Sequence, residues 1–463
     1  MTAGDAARWR AARGHGTPLA SAPRAAVMAA WRGHADLLSN AGSLVVSTGV
    51  ASLLGVVYWM FATRFFSQRS VGYGSAAVSA MTLLGTIGMF GLGTLLIGEL
   101  PRRSGARAGL VAAALLTCGL GSLVLGAGFA VVAPRVSVNF AGMISTPGRA
   151  ALFAAGVALT GVTLVFDQAT IGLMRGRLQM GRNIAFAVAK VLALPAAAII
   201  VHDQFGAGIT LSWVTGMAVS LACVAARLRF AGTPVLPRPD WRVLRGLGKT
   251  AMAHNWLNLA MTMPFYLLPV LVTVIVSPSA NAAFYIASML TTFLFIVPAH
   301  LSTVLFALVA ADPGVVAGKL RFALRVSFLI GIPGMAVLIL GAHLALGLFG
   351  RGYTEATVPM WLITLGYPAA VPKSLYIAVC RAAGQIPRAA VVMTVCSSLE
   401  MAAAAAGGAA GGLYGLSLAL LAVRYAEAAV TTPQVLRAAF GRALTGMSPK
   451  RSSPHGETEG SRL

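Results

Sequence analysis

Charged residues are scarce in this sequence. Asp, Glu, Lys and Arg make up 10% of its 463 residues, and only 12 of them are acidic. Soluble globular proteins carry about 25% charged residues, so this composition excludes a soluble domain. Cysteine is scarce as well. The four cysteines lie in apolar segments without metal-ligand spacing, and we interpret them as small core residues. There is no Walker loop and no paired His/Cys set, so we expect no metal and no cofactor.

Long apolar segments fill most of the chain, which is 57% hydrophobic. Segments of about twenty apolar residues cross a hydrocarbon core of about 30 Å as helices, because every backbone amide must find its partner within the segment. The sequence therefore predicts an all-α polytopic membrane protein with about twelve transmembrane helices. They are predicted at 41–62, 76–98, 108–133, 150–174, 183–201, 208–226, 251–276, 282–311, 322–348, 356–380, 389–408 and 411–431.

The basic residues indicate the orientation. With the N-terminus placed inside, 27 Lys and Arg fall in cytoplasmic segments and five in outer loops. Cytoplasmic loops retain such residues, so both termini are predicted to be cytoplasmic in a cytoplasmic (inner) membrane. This bias also explains the net charge of +23 without nucleic acid. The predicted organisation is a basic tail (1–40), a six-helix lobe (41–226), a basic linker (227–250), a second six-helix lobe (251–431) and a tail of disordered composition (432–463).

Two pairs of similar segments indicate an internal duplication. Arg-x3-Gln-x2-Arg occurs at Arg175 and again 206 residues later at Arg381. Ser70–Ile87 resembles Asn281–Val297 at an offset near 212. A duplicated unit of six helices gives two halves of the same orientation, related by a pseudo-two-fold axis along the membrane normal, and transporters with such repeats place the substrate between the halves. Chance similarity between Ala-rich helices is the alternative.

Three phrases carry a resemblance to a known family. They are "ATRFFSQRSVGYGSAAVSAMTLLGTIGMFGLGTLLIGELPR", "GKTAMAHNWLNLAMTMPFYLLPVLV" and "LALGLFGRGYTEATVPMWLITLGYP". They resemble bacterial polysaccharide export proteins of the Wzx type, in the multidrug/oligosaccharidyl-lipid/polysaccharide (MOP) flippase superfamily. The resemblance covers roughly residues 40–435 and rests on short phrases. It implies two six-helix bundles in a V around a central cavity, with alternating access for a lipid-linked sugar.

Charges inside the predicted spans are the candidate cavity residues, because a charge at mid-membrane normally faces a partner or a wet cavity. Asp167 and Lys190 each lie eight residues from their hairpin turn, so we expect them to pair or to line the cavity together. Lys373 is expected to reach Glu400. Such pairs are equally compatible with a purely structural role. On the last span we expect Arg424 to face the cavity, whereas Glu427 (three residues on, sharing its face) is expected to reach water at the cytoplasmic end.

The cytoplasmic hairpins carry a further set of candidates. These are Arg175, Arg182, Arg381 and Arg388. Topological anchoring accounts for them, and gathering an anionic headgroup at the cytoplasmic entrance is a second hypothesis.

The leading functional hypothesis is a flippase that moves a polyprenyl-pyrophosphate-linked oligosaccharide across the membrane for polysaccharide assembly, such as that of lipopolysaccharide. Its partners would be the lipid-linked substrate, membrane lipid, and candidate polymerase and glycosyltransferase proteins. One alternative is an ion-coupled drug or metabolite antiporter of the same superfamily. Another is a non-transporting scaffold for a polysaccharide synthase. An enzyme is not expected, since the outer loops are short and hold only Asp203 and Glu355 as carboxylates.

Overall fold

A computed structural model describes residues 52–440, except 103–106, 202–204, 233, 235–237 and 312–315. For 242–254, 306–311, 316 and 382 only the backbone is described. The described part of the chain is helical and contains no strand. The predictions for the tails at 1–40 and beyond residue 440 lie outside the described residues. Helix α1 is described over residues 52–65.

The first half continues with seven helices. They are α2 (Gln68–Gly88), α3 (Leu92–Glu99), α4 (Arg107–Val136), α5 (Val138–Met143), α6 (Pro147–Gly172), α7 (Gly176–Ile200) and α8 (Ala207–Phe230). Helices α2 and α3 form one predicted span broken at Phe90 and Gly91, which both adopt positive φ (47° and 77°). Such angles cannot continue a right-handed helix, so the chain changes direction there.

The second half contains six helices and one 3₁₀ turn. They are α9 (Trp241–Ile275), α10 (Pro278–Ala311), α11 (Val316–Gly347), the 3₁₀ turn Arg351–Ala356, α12 (Thr357–Leu365), α13 (Tyr367–Ala382) and α14 (Ile386–Ala439). Helices α12 and α13 form a bent pair, with 45° between their axes.

Helix α14 is two antiparallel arms rather than one rod. Gly411 and Gly412 have non-helical backbone angles, and Gly412 has a φ of 58°. Gly407 and Gly415 approach so closely that a Cβ on Gly407 would lie 2.4 Å from the Gly415 carbonyl oxygen. Among the described residues, nine helices are long and apolar enough to span a membrane, or ten with the bent pair. With both arms of α14 and with α1, the arrangement is the predicted two-bundle membrane protein of about twelve helices.

The boundaries differ from the predicted ones near the linker. The basic linker was expected over 227–250, but α8 continues to Phe230 and α9 begins at Trp241. The last helix also extends past residue 431, to Ala439. Arg and Lys do not end a helix, because their long side chains can reach water while the backbone stays hydrogen-bonded. Hydropathy therefore located the apolar limits of these helices rather than their ends.

The duplication is visible in the hydrogen bonds of matching turns, at a constant offset of 210. The amide of Arg175 donates to the Thr170 carbonyl, and the amide of Gln385 donates to the Cys380 carbonyl, both at 2.8 Å. Met174 and Gly384 occupy the same left-handed position in these turns. Ser67 and Ser277 cap α2 and α10 in the same way. The predicted offsets of 206 and about 212 were therefore wrong in register.

The two halves are joined at one end, which we call the closed end. There the starts of α2 and α10 cross so tightly that a Cβ on Gly72 would lie 1.6 Å from the Pro278 carbonyl oxygen. The Asn281 amide donates to the Gly72 carbonyl (2.8 Å) and to Ser75 Oγ (3.0 Å). The Gln68 amide donates to the Ser279 and Gly352 carbonyls, each at 3.2 Å. These contacts hold two duplicated helices against each other across the pseudo-two-fold axis.

An apolar cluster supports the closed end. It combines Tyr58, Trp59, Val71 and Ile209 from the first half with buried side chains of the second half. The second-half members include Ala283, Ile286, Ala342, Leu346, Phe349 and Met360. Burial of these groups between the halves adds a hydrophobic contribution to the hydrogen bonds. The opposite end carries the Arg-containing hairpins, and we call it the basic end.

Candidate functional site

A cavity of about 560 Å³ lies at mid-span between the two halves. Most of its lining comes from α9, α10, α13 and both arms of α14, and the first half closes one side with α1, α7 and α8. Five charged side chains line it: Lys190, Lys373, Glu400, Arg424 and Glu427. Cavities of this size accommodate small organic ligands or headgroups.

Lys373 connects two carboxylates in the second half. Its Nζ lies 2.7 Å from Glu400 Oε1 and 2.7 Å from Glu427 Oε2. The predicted Lys373–Glu400 pair is therefore formed. The expectation that Glu427 reaches water was wrong, since its side chain is buried. The second arm of α14 continues for twelve residues beyond Glu427, or about 18 Å of helix, which places this carboxylate deep within the span.

Arg424 completes this second-half cluster. It lines the cavity, as expected, and interacts electrostatically with Glu400. The formal charges of Lys373, Arg424, Glu400 and Glu427 sum to zero when all four are ionised. One oxygen of the cluster, Glu427 Oε1, is buried and has no hydrogen-bond partner in the described part of the chain.

Lys190 lies on the first-half side of the cavity and is surrounded by aromatic rings. Its Nζ is 4.7, 4.6 and 4.1 Å from the ring centroids of Tyr58, Phe186 and Trp213. We call these three rings the aromatic cage. A cation over an aromatic face is stabilised by the ring quadrupole, by about 2 kcal/mol or more when desolvated. The Lys190 side chain is buried, at 5% exposure.

The predicted Asp167–Lys190 pair is not formed. Asp167 Oδ2 instead lies 2.8 Å from Arg182 Nη2. Helix α7 packs chiefly against α8 and only sparsely against α6, so Lys190 is held at the α7–α8 contact. A Cβ on Gly216 of α8 would lie 2.8 Å from Lys190 Cβ, which shows how closely these helices approach. Equal depth in a hairpin was not sufficient for pairing, because the arms diverge.

Asp167 and Arg182 lie apart from the cavity lining. Arg182 is 6% exposed, so it is not one of the accessible charges of the basic end that the entrance hypothesis requires. Arg175 and Arg388 are exposed there. Arg381 is partly buried, and its Nη2 donates to Asn258 Oδ1 at 3.0 Å. The structure therefore divides the four hairpin arginines into two exposed, one half-buried and one buried.

The aromatic wall of the cavity was not predicted from the sequence. Trp59 of α1, Trp213 of α8 and Tyr285 of α10 all line it. The Trp59 and Tyr285 rings, from opposite halves, have centroids 4.8 Å apart. Trp59 and Trp213 are 6.3 Å apart. Trp59 and Trp213 lie near the ends of their predicted spans (41–62 and 208–226), where tryptophan is common at membrane interfaces, so their positions did not indicate a cavity wall.

Solved structures with a similar fold are transporters. An inward-facing multidrug resistance MATE family transporter of the MOP superfamily is similar over 87% of this chain and 99% of its own, with a TM-score of 0.64 and 15% identity. The chain has the fold of a MOP superfamily transporter. An outward-facing MATE structure covers 88% of this chain and 96% of its own, with a TM-score of 0.55 and 14% identity. Neither a family model nor a curated protein matches the sequence.

A third structure with this fold is instructive for the cavity. It is a MOP superfamily transporter from Pyrococcus furiosus, described as having a binding pocket of reversed polarity that suggests a different function. It is 13% identical, covers 87% of this chain and 96% of its own, and has a TM-score of 0.55. Pocket polarity is thus described as differing between proteins that share this fold. The cavity of this chain must be interpreted from its own residues.

Proposed function

We propose that this protein is a flippase that moves a polyprenyl-pyrophosphate-linked oligosaccharide across the cytoplasmic membrane by alternating access. The observation that carries the proposal is the mid-span cavity, which has a formal excess of one positive charge and an aromatic wall shared by both halves. Its volume of about 560 Å³ is far greater than an inorganic ion requires. A compact anionic headgroup with sugars attached matches both the charge and the lining.

The second-half cluster supports this proposal over an antiporter coupled to a cation at the same carboxylates. Both Glu400 and Glu427 are bound to Lys373, whose ammonium occupies the position that a coupling cation would need. Replacing Lys373 with a metal ion would require moving a partly buried, doubly hydrogen-bonded charge. The fold does not distinguish a flippase from an antiporter, because both belong to the same superfamily.

The closed end suggests the state of the transport cycle. The interlobe hydrogen bonds of Gln68 and Asn281 lie at the end opposite the Arg-containing hairpins. The positive-inside bias assigns that end to the outside of the cell, with both termini in the cytoplasm. We infer an inward-facing state that receives the headgroup from the cytoplasmic leaflet. Polymerase and glycosyltransferase proteins would then act on the cargo after and before transport.

Reconstitution tests the proposed function directly. Purified protein in liposomes that contain a fluorescent polyprenyl-pyrophosphate oligosaccharide should bring the label to the opposite leaflet, where a membrane-impermeant quencher reaches it. Protein-free liposomes should not do so. Vesicles of the same preparation loaded with a cationic dye provide the comparison with efflux. Dye transport without movement of the lipid-linked sugar would favour the antiporter, and transport of neither would favour a scaffold.

A further inference from the structure

We propose that Lys190 and the aromatic wall form a subsite for an anionic group attached to a sugar ring, and that this subsite, rather than the lysine of the second half, binds the negative charge of the cargo. The inference rests on the proposed function and refines it. Its basis is a difference between the two lysines of the cavity. Both line the cavity, Lys190 as a buried side chain and Lys373 as a partly buried one, but the protein neutralises only Lys373.

Lys373 has no free capacity for an anion in this structure. Two carboxylates lie 2.7 Å from its Nζ, and Arg424 interacts electrostatically with one of them, Glu400. An anion that approached Lys373 would have to displace a carboxylate and would meet the negative charge of Glu400 and Glu427. That exchange is unfavourable in a site where desolvation strengthens repulsion.

Lys190 differs in every one of these respects. Within the described part of the chain, its ammonium makes no ion pair and no hydrogen bond. Its neighbours are three ring faces, which stabilise the charge but accept no conventional hydrogen bond from its three N–H groups. Since the second-half cluster sums to zero, the excess positive charge of the cavity is located at Lys190. A carboxylate or phosphate reaching it would form charge-assisted hydrogen bonds at low dielectric.

The adjacent rings define what the anion is attached to. Trp59, Trp213 and Tyr285 line the cavity together with Lys190 and contribute apolar ring surface to it. A sugar ring has an apolar C–H face that packs against such surfaces, and its hydroxyls remain free for water or for polar neighbours such as Ser288 and Thr292. The chemistry recognised is therefore an anion on or next to a sugar ring. A uronate carboxylate and the sugar-linked diphosphate are the two sources.

The position of the subsite links binding to the movement of the halves. Trp59 belongs to the first half and Tyr285 to the second, and their rings are in contact. A ring bound against both would contact both halves at once, next to the cluster that supports the closed end. Occupancy of this subsite would therefore alter the contacts that change when the closed end opens.

Calorimetric titration of the purified protein with three synthetic lipids tests the proposal. The probes are a polyprenyl-diphosphate disaccharide ending in glucuronate, the same lipid ending in glucose, and polyprenyl diphosphate alone. Lys190→Met is expected to weaken binding of the favoured lipid by about 10- to 100-fold, the equivalent of one lost hydrogen bond to a charged group. Lys190→Arg, which keeps the charge, should retain most of the affinity. Arg177→Met, which removes an exposed charge at the basic end, is the matched control.

The pattern of losses identifies the anion. A loss confined to the glucuronate lipid assigns the carboxylate to Lys190, and an equal loss for all three lipids assigns the diphosphate. Unchanged binding of all three by Lys190→Met that still shows a cooperative thermal transition overturns the inference, while the flippase proposal stands. Absence of any lipid binding by the wild-type protein would instead contradict the proposed function itself.

Discussion

Replacing Gly72 with Ala should open the closed end. The added Cβ would lie 1.6 Å from the Pro278 carbonyl oxygen and 2.5 Å from its carbon. Cβ atoms essentially never approach other heavy atoms within 3.0 Å, so the two helices must separate by about 1.4 Å. The obstacle is backbone rather than a flexible side chain, and no rotamer change can relieve it. The hydrogen bond from Asn281 to the Gly72 carbonyl crosses the same contact.

The magnitude follows from overpacking. Forcing extra atoms into a packed contact costs about 1–3 kcal/mol. This cost applies only while the end is closed, so the ratio of closed to open protein should fall by about 5- to 150-fold. Spin labels on Val138→Cys and Arg351→Cys, one in each half, would report the separation. Cys223→Ser removes the exposed native thiol, and the other three cysteines are buried. The pulsed dipolar distance distribution should gain a longer component.

Gly98→Ala is the matched control for this experiment. It is also a helical glycine, but a Cβ there meets nothing within 4 Å. Its distance distribution should match that of the labelled parent. If Gly72→Ala also matches the parent, the close crossing of α2 and α10 does not hold the halves together at the closed end, and the reasoning is refuted.

Three other substitutions test the polar contacts. Asn281→Leu removes the donors to Gly72 and Ser75 and should weaken the closed end by about 1–3 kcal/mol, measured with the same label pair. Lys373→Met leaves Glu400 and Glu427 buried together without a cation and should destabilise the protein by about 3–5 kcal/mol, seen as a lower melting temperature that Glu400→Gln with Glu427→Gln partly restores. Arg182→Met should lower the stability by a similar amount, and Asp167→Asn should partly restore it. The control Arg175→Met, at an exposed position, should leave the melting temperature unchanged. Equal effects at 175 and 182 would contradict the buried pair.

The spans were predictable because their signal is local. A membrane helix needs enough apolar residues in sequence, and that count requires no knowledge of neighbouring helices. The breaks inside the spans were not predictable in this way. Phe90 is an apolar residue with a positive φ, which the sequence alone does not favour. The reversal at Gly411–Gly412 lies within two residues of the predicted break at 409–410, and two adjacent glycines are a strong turn signal.

The register of the duplication shows a limit of sequence comparison in membrane helices. The Arg-x3-Gln-x2-Arg match placed Arg175 on Arg381, whereas the matching turns place Arg175 on Gln385. The error is four residues, or about one helical turn. A shift by one turn keeps apolar residues on nearly the same face, so hydropathy scarcely distinguishes the two alignments. Backbone hydrogen bonds at the turns do distinguish them.

Ion pairing was predicted in both halves, and a geometric reason explains why the prediction was correct for Lys373–Glu400 and wrong for Asp167–Lys190. Lys373 and Glu400 lie on α13 and α14, which pack closely, so a long side chain spans the gap. Asp167 and Lys190 lie on α6 and α7, which have few contacts. Spacing along a hairpin gives depth in the membrane but not the distance between its arms. In the aromatic cage that replaces the expected carboxylate, Phe186 lies one turn before Lys190 on the same helix. Tyr58 and Trp213 come from other helices, and no local signal indicated them.

The corrected register changes which charged residues of the two halves correspond to each other. At an offset of 210, Lys190 corresponds to Glu400, whereas Asp167 corresponds to Ile377 and Lys373 to Thr163. One intramembrane position is thus charged in both halves of the protein, with opposite sign, and both side chains line the same cavity. The second half surrounds its carboxylate with two cations. In the first half, the Lys190 ammonium is surrounded only by the ring faces of the aromatic cage. A buried charge without a partner is energetically costly. The simplest explanation for the unpaired Lys190 ammonium is therefore an anionic ligand that binds and dissociates during transport.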